Sequence, residues 1–261
     1  MGGNPPGHII PGSALLSLAL YVLFSKVYHV SPSQKQVKLK RGGWLQVILS
    51  FVGIVVEVIG GWQYGRPFQA KEHLSMYFLY LCSGLLFLGE SAGALPDETW
   101  RTGLGLASIG VGLLFYVHSQ MQMMEEHNPL ESFVHWLLAI ACLCSGMGFL
   151  LSWAATTLRL GMIYFALALL MLEGFWFYFL AYALYSGDYG KMGENLDMGD
   201  ATAIFVWLAL CGGAIVSVFE CKHQLGSRHA LISNGGKTVL DETQDVEEQN
   251  HLQEYSKVTL E

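Results

Sequence analysis

The sequence predicts an all-α membrane protein, a bundle of seven transmembrane helices with its N-terminus lumenal or extracellular and its C-terminus cytoplasmic. Three observations carry this expectation. Of 261 residues, 52% are hydrophobic and only 13% are charged, against roughly 25% charged in a soluble domain. The mean hydropathy is +0.40. Seven apolar runs are long enough to cross about 30 Å of hydrocarbon, which takes roughly 17–25 helical residues.

The runs fall at about 9–25, 44–61, 73–94, 101–118, 130–153, 158–184 and 202–220. The first follows His8. The second is short and carries Glu57 near its end. His73 opens the third. The fourth contains "GLGLASIGVG", small residues that let helix backbones approach closely in a membrane, and it closes on His118. The fifth begins with Glu131 and His135. The sixth holds Glu173 near its middle, in "LALLMLEGFWFYFLAY", and the seventh ends on Glu220. Short connections argue for one bundle over 1–222, with no internal repeat. Residues 223–261 form an acidic tail, polar enough in "LDETQDVEEQNHLQEYSKVTLE" to predict disorder.

Charge orients the chain. Lys26, Lys35, Lys38, Lys40 and Arg41 crowd the first predicted loop, and Arg101, Arg159, Lys222 and Arg228 fall on the same side. Only Arg66, Lys71 and Lys191 oppose them, so the first side is cytoplasmic by the excess of positive charge. Much of the net charge of −7 comes from the tail, which excludes a nucleic-acid surface. The start, "MGGNPPGHIIPG", lacks the basic region of a signal peptide, and proline at position 6 breaks the myristoylation pattern. Four of the five cysteines lie within spans, so no disulfide framework is implied. Cys221, just past the last span and beside Lys222, is a candidate for palmitoylation. The expected location is the plasma membrane or a secretory-pathway or endosomal membrane.

Of nine histidines, five fall on the lumenal side and four on the cytoplasmic side, so there is no side bias, but several titratable groups sit at lumenal span ends. His73, His118 and His135 share one depth. Glu131 lies four residues before His135, on the same helix face, and His8 adds a further imidazole. Neutral imidazoles with a carboxylate suit zinc, and three protein ligands plus water make a catalytic site whose bound water is a nucleophile near neutral pH. The sequence has neither H-E-x-x-H nor C-x-x-C, so spacing alone does not separate such a site from histidines that cap helix ends. Glu57 and Glu173 lie inside spans, where an ion at the helix centre costs about 2.5–3.5 kcal/mol; each must face the interior. Glu90, also within a span, suits a helix-end or interhelical hydrogen bond.

Three functions follow. One is a metal-binding seven-span protein, a zinc-dependent hydrolase of lipid or a binder of another small molecule. The second is a transporter or proton-linked channel using Glu57 and Glu173. The third is a structural or trafficking protein without catalysis. The sequence patterns of a G-protein-coupled receptor are missing: no D/E-R-Y follows the third span, and no N-P-x-x-Y ends the seventh.

Five stretches in order, "GHIIPGSALL", "EHLSMYF", "FYVH", "LESFVHWLL" and "LEGFWF", make residues 7 to about 220 resemble the transmembrane protein 45 / transmembrane epididymal protein family. The resemblance implies a seven-span protein of the secretory pathway or cell surface, and no particular reaction. It implies histidines at His8, His73, His118 and His135, with an acid at Glu131. Two departures stand out: Gln120 sits where the family often has a second histidine, and Glu173 where relatives have glutamine.

Overall fold

A computed structural model describes residues 5–28, 30–63, 71–124, 129–154, 157–185 and 197–222. Among the described residues there are seven helices and no strand. They are α1 Pro5–Ser25, α2 Pro32–Gln63, α3 Lys71–Ser91, α4 Thr99–Met124, α5 Pro129–Ala154 and α6 Arg159–Tyr185, followed by α7 Met198–Lys222. Every one contains a stretch of 19 to 29 residues apolar enough to cross a membrane. The chain divides into two compact units, Met1–Val216 and Ser217–Glu261. The second is described only at the end of α7, and the tail at 223–261, with its expected disorder, lies outside the described residues.

Four helix limits differ from expectation. α2 starts at Pro32, well before the apolar run, and puts Lys35, Lys38, Lys40 and Arg41 on a helix instead of in a loop. Proline is favoured in a first turn, the Ser31 carbonyl accepts the Lys35 N–H at 2.8 Å, and the Gln, Lys and Leu that follow, none branched at Cβ, are good helix formers. α3 stops at Ser91, short of 94, because Gly93 adopts φ +72°. The Ala94 N–H then bonds the Gly89 carbonyl and the Gly93 N–H the Glu90 carbonyl, both at 3.0 Å, a Schellman cap. α4 runs on to Met124, where the sequence closes the span at 118; residues 125–128 lie outside the described set. His8 lies inside α1, where the sequence places it ahead of the span.

Each of the first five helices packs on the next, and α6 returns to α1, closing a ring. The outer surface is apolar: Phe51, Phe78 and Trp153 are each 59% exposed or more, the surface that lipid solvates. Inside, Ser50, Ser83, Ser108, Ser145, His8, His135 and Glu173 are buried. Glycines set the closest approaches. A Cβ on Gly146 of α5 would lie 2.6 Å from the Gly105 carbonyl oxygen of α4, and one on Gly12 of α1 2.9 Å from that of Gly174 on α6. The glycine-rich fourth span therefore makes the close contact expected of it. α7 touches α6 where Phe205 meets the Trp176 ring edge-on at 5.0 Å and is otherwise largely exposed.

The end of the ring away from His8 is tied by charge. Lys35 reaches Glu90 at 3.0 Å and Glu98 at 3.2 Å. Glu98 also pairs with Arg101 at 2.8 Å and Arg159 at 2.7 Å. Arg101 donates to the Ser152 carbonyl at 2.8 Å, and the Lys38 ammonium to the Ser25 carbonyl. The Glu90 carboxylate accepts the N–H groups of Glu98 at 2.9 Å and Trp100 at 2.8 Å, so it caps the start of α4 as a helix-end acceptor. Burial alone would raise the Glu98 carboxyl, but Arg101, Lys35 and Arg159 outweigh it and hold it below the ordinary carboxylate value.

Candidate functional site

At the opposite end, all six ring helices place a polar or aromatic group in one layer. His8 comes from α1, Glu57 from α2, His73 from α3, Phe115 and His118 from α4, Glu131 and His135 from α5, and Phe177 from α6. The imidazoles form a chain. The His73 ring stands edge-on to His8 with centroids 5.1 Å apart, His8 lies 6.5 Å from His135, and His135 is edge-on to His118 at 5.0 Å. His8 and His135 are 3% and 4% exposed, so both rings are removed from solvent.

Two of these rings are oriented from behind. His73 Nδ1 lies 3.1 Å from the Glu57 carboxylate. His135 Nδ1 donates to the Glu131 carbonyl at 2.7 Å. A donating Nδ1–H makes Nε2 the lone-pair atom of a neutral ring. This is how metal-binding histidines are held, with one nitrogen tied to a carboxylate or carbonyl and the other turned toward the ion. Glu131 thus serves His135 through its main chain, where the sequence suggested its carboxylate.

Phe115 and Phe177 floor the layer. Phe115 stacks on His135 at 5.8 Å and 15°, and Phe177 meets Phe115 at 5.7 Å and His8 at 6.1 Å. Glu173 sits one turn along α6 from Phe177, fully buried, with the Tyr80, Cys142 and Ser145 side chains beside it. It belongs to a deeper polar group, set apart from the imidazoles by the two phenylalanines. Cys221 is exposed on the last turn of α7.

Two imidazoles sharing a tetrahedral zinc, with Zn–N near 2.0–2.1 Å, have centroids roughly 5 Å apart. The His8–His73 and His118–His135 pairs have that spacing; the His8–His135 pair is wider. Among the described residues no group of three or more His, Cys, Asp or Glu side chains is arranged to hold a metal ion, so coordination by three of them requires the rings to turn toward a common point.

The class these features define is a multi-pass membrane protein: seven helices able to span a bilayer, six of them closed around a polar interior with imidazoles at one end. Residues 103–203 match the model of a family of unknown function, DUF716. That segment carries Phe115, His118, Glu131, His135, Glu173 and Phe177; His8, Glu57 and His73 precede it. No solved structure matches the chain.

Proposed function

We propose that this chain is a membrane-embedded metalloprotein of the transmembrane protein 45 / transmembrane epididymal protein kind. Its imidazole layer, on the lumenal side, takes zinc and hydrolyses a lipid presented by the adjoining leaflet. The observation that carries this reading is the pair of oriented histidines, His73 backed by Glu57 and His135 backed by the Glu131 carbonyl, on two helices bridged by His8. A bound zinc supplies a hydroxide-like water near neutral pH and polarises a carbonyl. The chain's part is to fix the ring tautomers, to exclude water through Phe115 and Phe177, and to bring an apolar outer surface flush with the lipid. The competing reading, a transporter or proton-linked channel using Glu57 and Glu173, requires ion or proton flux in proteoliposomes without metal.

Elemental analysis of protein purified in mild detergent tests the proposal. Zinc near one equivalent per chain is expected, with His118→Ala and His135→Ala each lowering the zinc content and the melting temperature. Bound metal favours the folded state by mass action, so the double variant should melt close to either single one once the ion has gone. Histidines that only cap helix ends give the opposite pattern: no metal, losses of about 1 kcal/mol or less each, and additivity. That pattern would remove the metal reading.

A further inference from the structure

We propose that Glu173 anchors a site for one dehydrated monovalent cation of sodium size at the centre of the bundle, independent of the imidazole layer. Glu173 is 0% exposed, yet neither of its oxygens makes a hydrogen bond of normal length and angle among the described residues. Its polar neighbours, Tyr80, Cys142 and Ser145, reach it from α3 and α5, and Tyr80 is in turn 3.4 Å from Ser108 of α4. None of them is basic. An unmet buried polar group costs about 1–3 kcal/mol, and more when charged. The elements around Glu173 are therefore built for a positive charge that the chain does not itself supply.

A second observation points the same way. Tyr80 is also a wall of a small, partly open cavity of about 20 Å³ that Glu173 does not itself line; its walls are mostly apolar residues of α1 and α2, such as Leu15 and Leu49, with Gln46, Ser50 and Tyr77 as the other polar groups. Gln46 and Tyr77 are 3% and 2% exposed, and both amide atoms of Gln46 and the Tyr77 hydroxyl likewise lack a hydrogen bond among the described residues. A space of that size holds one or two water-sized particles, since a water needs roughly 10–15 Å³. Its polar wall can hold a water beside an ion seated at Glu173, with Tyr80 shared between the two. Carboxylate, phenol, hydroxyl and amide oxygens are hard donors, suited to alkali and alkaline-earth ions more than to zinc. One carboxylate balances one positive charge, whereas a divalent ion would leave a net charge buried in a medium of low dielectric.

The test is a melting-temperature titration of the full chain in mild detergent, with sodium chloride against choline chloride at constant ionic strength and a chelator present to remove zinc. Sodium is expected to raise the wild-type melting temperature by several degrees and to saturate, as a ligand of the folded state does. Glu173→Gln keeps the side-chain shape without the charge and should lose the response. Tyr80→Phe should keep the response with its sodium midpoint moved up severalfold, which keeps the proposal exposed where Glu173→Gln fails to fold. Identical wild-type curves in sodium and choline would overturn it, because a proton would then be what neutralises Glu173. So would a full sodium response in Glu173→Gln, or an unmoved midpoint in Tyr80→Phe.

Discussion

Gly146→Leu is expected to open the packed bundle without altering a single polar side chain. A Cβ at Gly146 would sit 2.6 Å from the Gly105 carbonyl oxygen and 2.9 Å from the Ile109 nitrogen, with Ile109 Cγ1 at 2.7 Å. Two of those three neighbours are main chain and cannot swing aside. Room for a leucine is made only by prising α5 from α4. Forcing extra methylenes into a well-packed contact typically costs 1–3 kcal/mol and occasionally more; a backbone-to-backbone contact belongs at the upper end. At about 2–4 °C per kcal/mol, about 3 kcal/mol should lower the melting temperature by roughly 6–12 °C, with aggregated material on size exclusion in detergent. Gly161→Leu is the matched control, since a Cβ there meets nothing within 4 Å. A Gly146→Leu protein melting like the control would show that α4 and α5 do not touch along their backbones.

Arg101→Met should have an effect at least as large. Arg101 is 2% exposed and ties Glu98 of the α3–α4 connection to the Ser152 carbonyl of α5. Methionine fills similar space but leaves the Ser152 carbonyl without that donor and Glu98 with less compensation. Removing one partner from a buried pair costs about 3–5 kcal/mol. The acid limb of the stability profile should change with it. The Glu98 carboxyl is held below its ordinary value of 4.5, so its contribution to stability is complete above that value and is lost as pH falls through the lower, folded-state value. The gap in melting temperature between wild type and Arg101→Met should be widest near neutral pH and should narrow on acidification below 4.5. A gap that stays constant with pH would detach Arg101 from Glu98.

The seven helices were legible because hydropathy and length report directly on the bilayer. Their ends were less so. The first turns of α2 carry lysine and arginine, which hydropathy counts as loop although their long side chains let a helix project past the membrane. The end of α3 hangs on the one glycine that takes a positive φ. Ring order was not legible at all, since apolar surface does not name its neighbour. In the site, the common depth of His73, His118 and His135 was readable from the sequence, whereas the Glu57–His73 pair was not, because depth alone does not say which span ends face each other. His8 was underweighted because it precedes the apolar run, among prolines that read as a break. Phe115 and Phe177 gave no signal that distinguished them from other lipid-span aromatics. Glu173 was expected to face the interior, and it does, beside Tyr80, Cys142 and Ser145; which groups of other helices meet it there is not encoded by spacing along a chain.

Ring closure between α1 and α6 has a consequence for how the protein is made. α1 packs more extensively on α6 than on α2, and its Gly12 seats against Gly174. α1 leaves the ribosome first and its main partner sixth, an interval on the order of ten seconds at roughly 5–20 residues per second. Throughout that interval α1 waits in the bilayer with His8 and Gly12 uncovered by their eventual partner. Nascent chains arrested before α6 emerges should therefore keep α1 reactive to crosslinkers from lipid or from insertion machinery, and they should release it only when the sixth helix arrives.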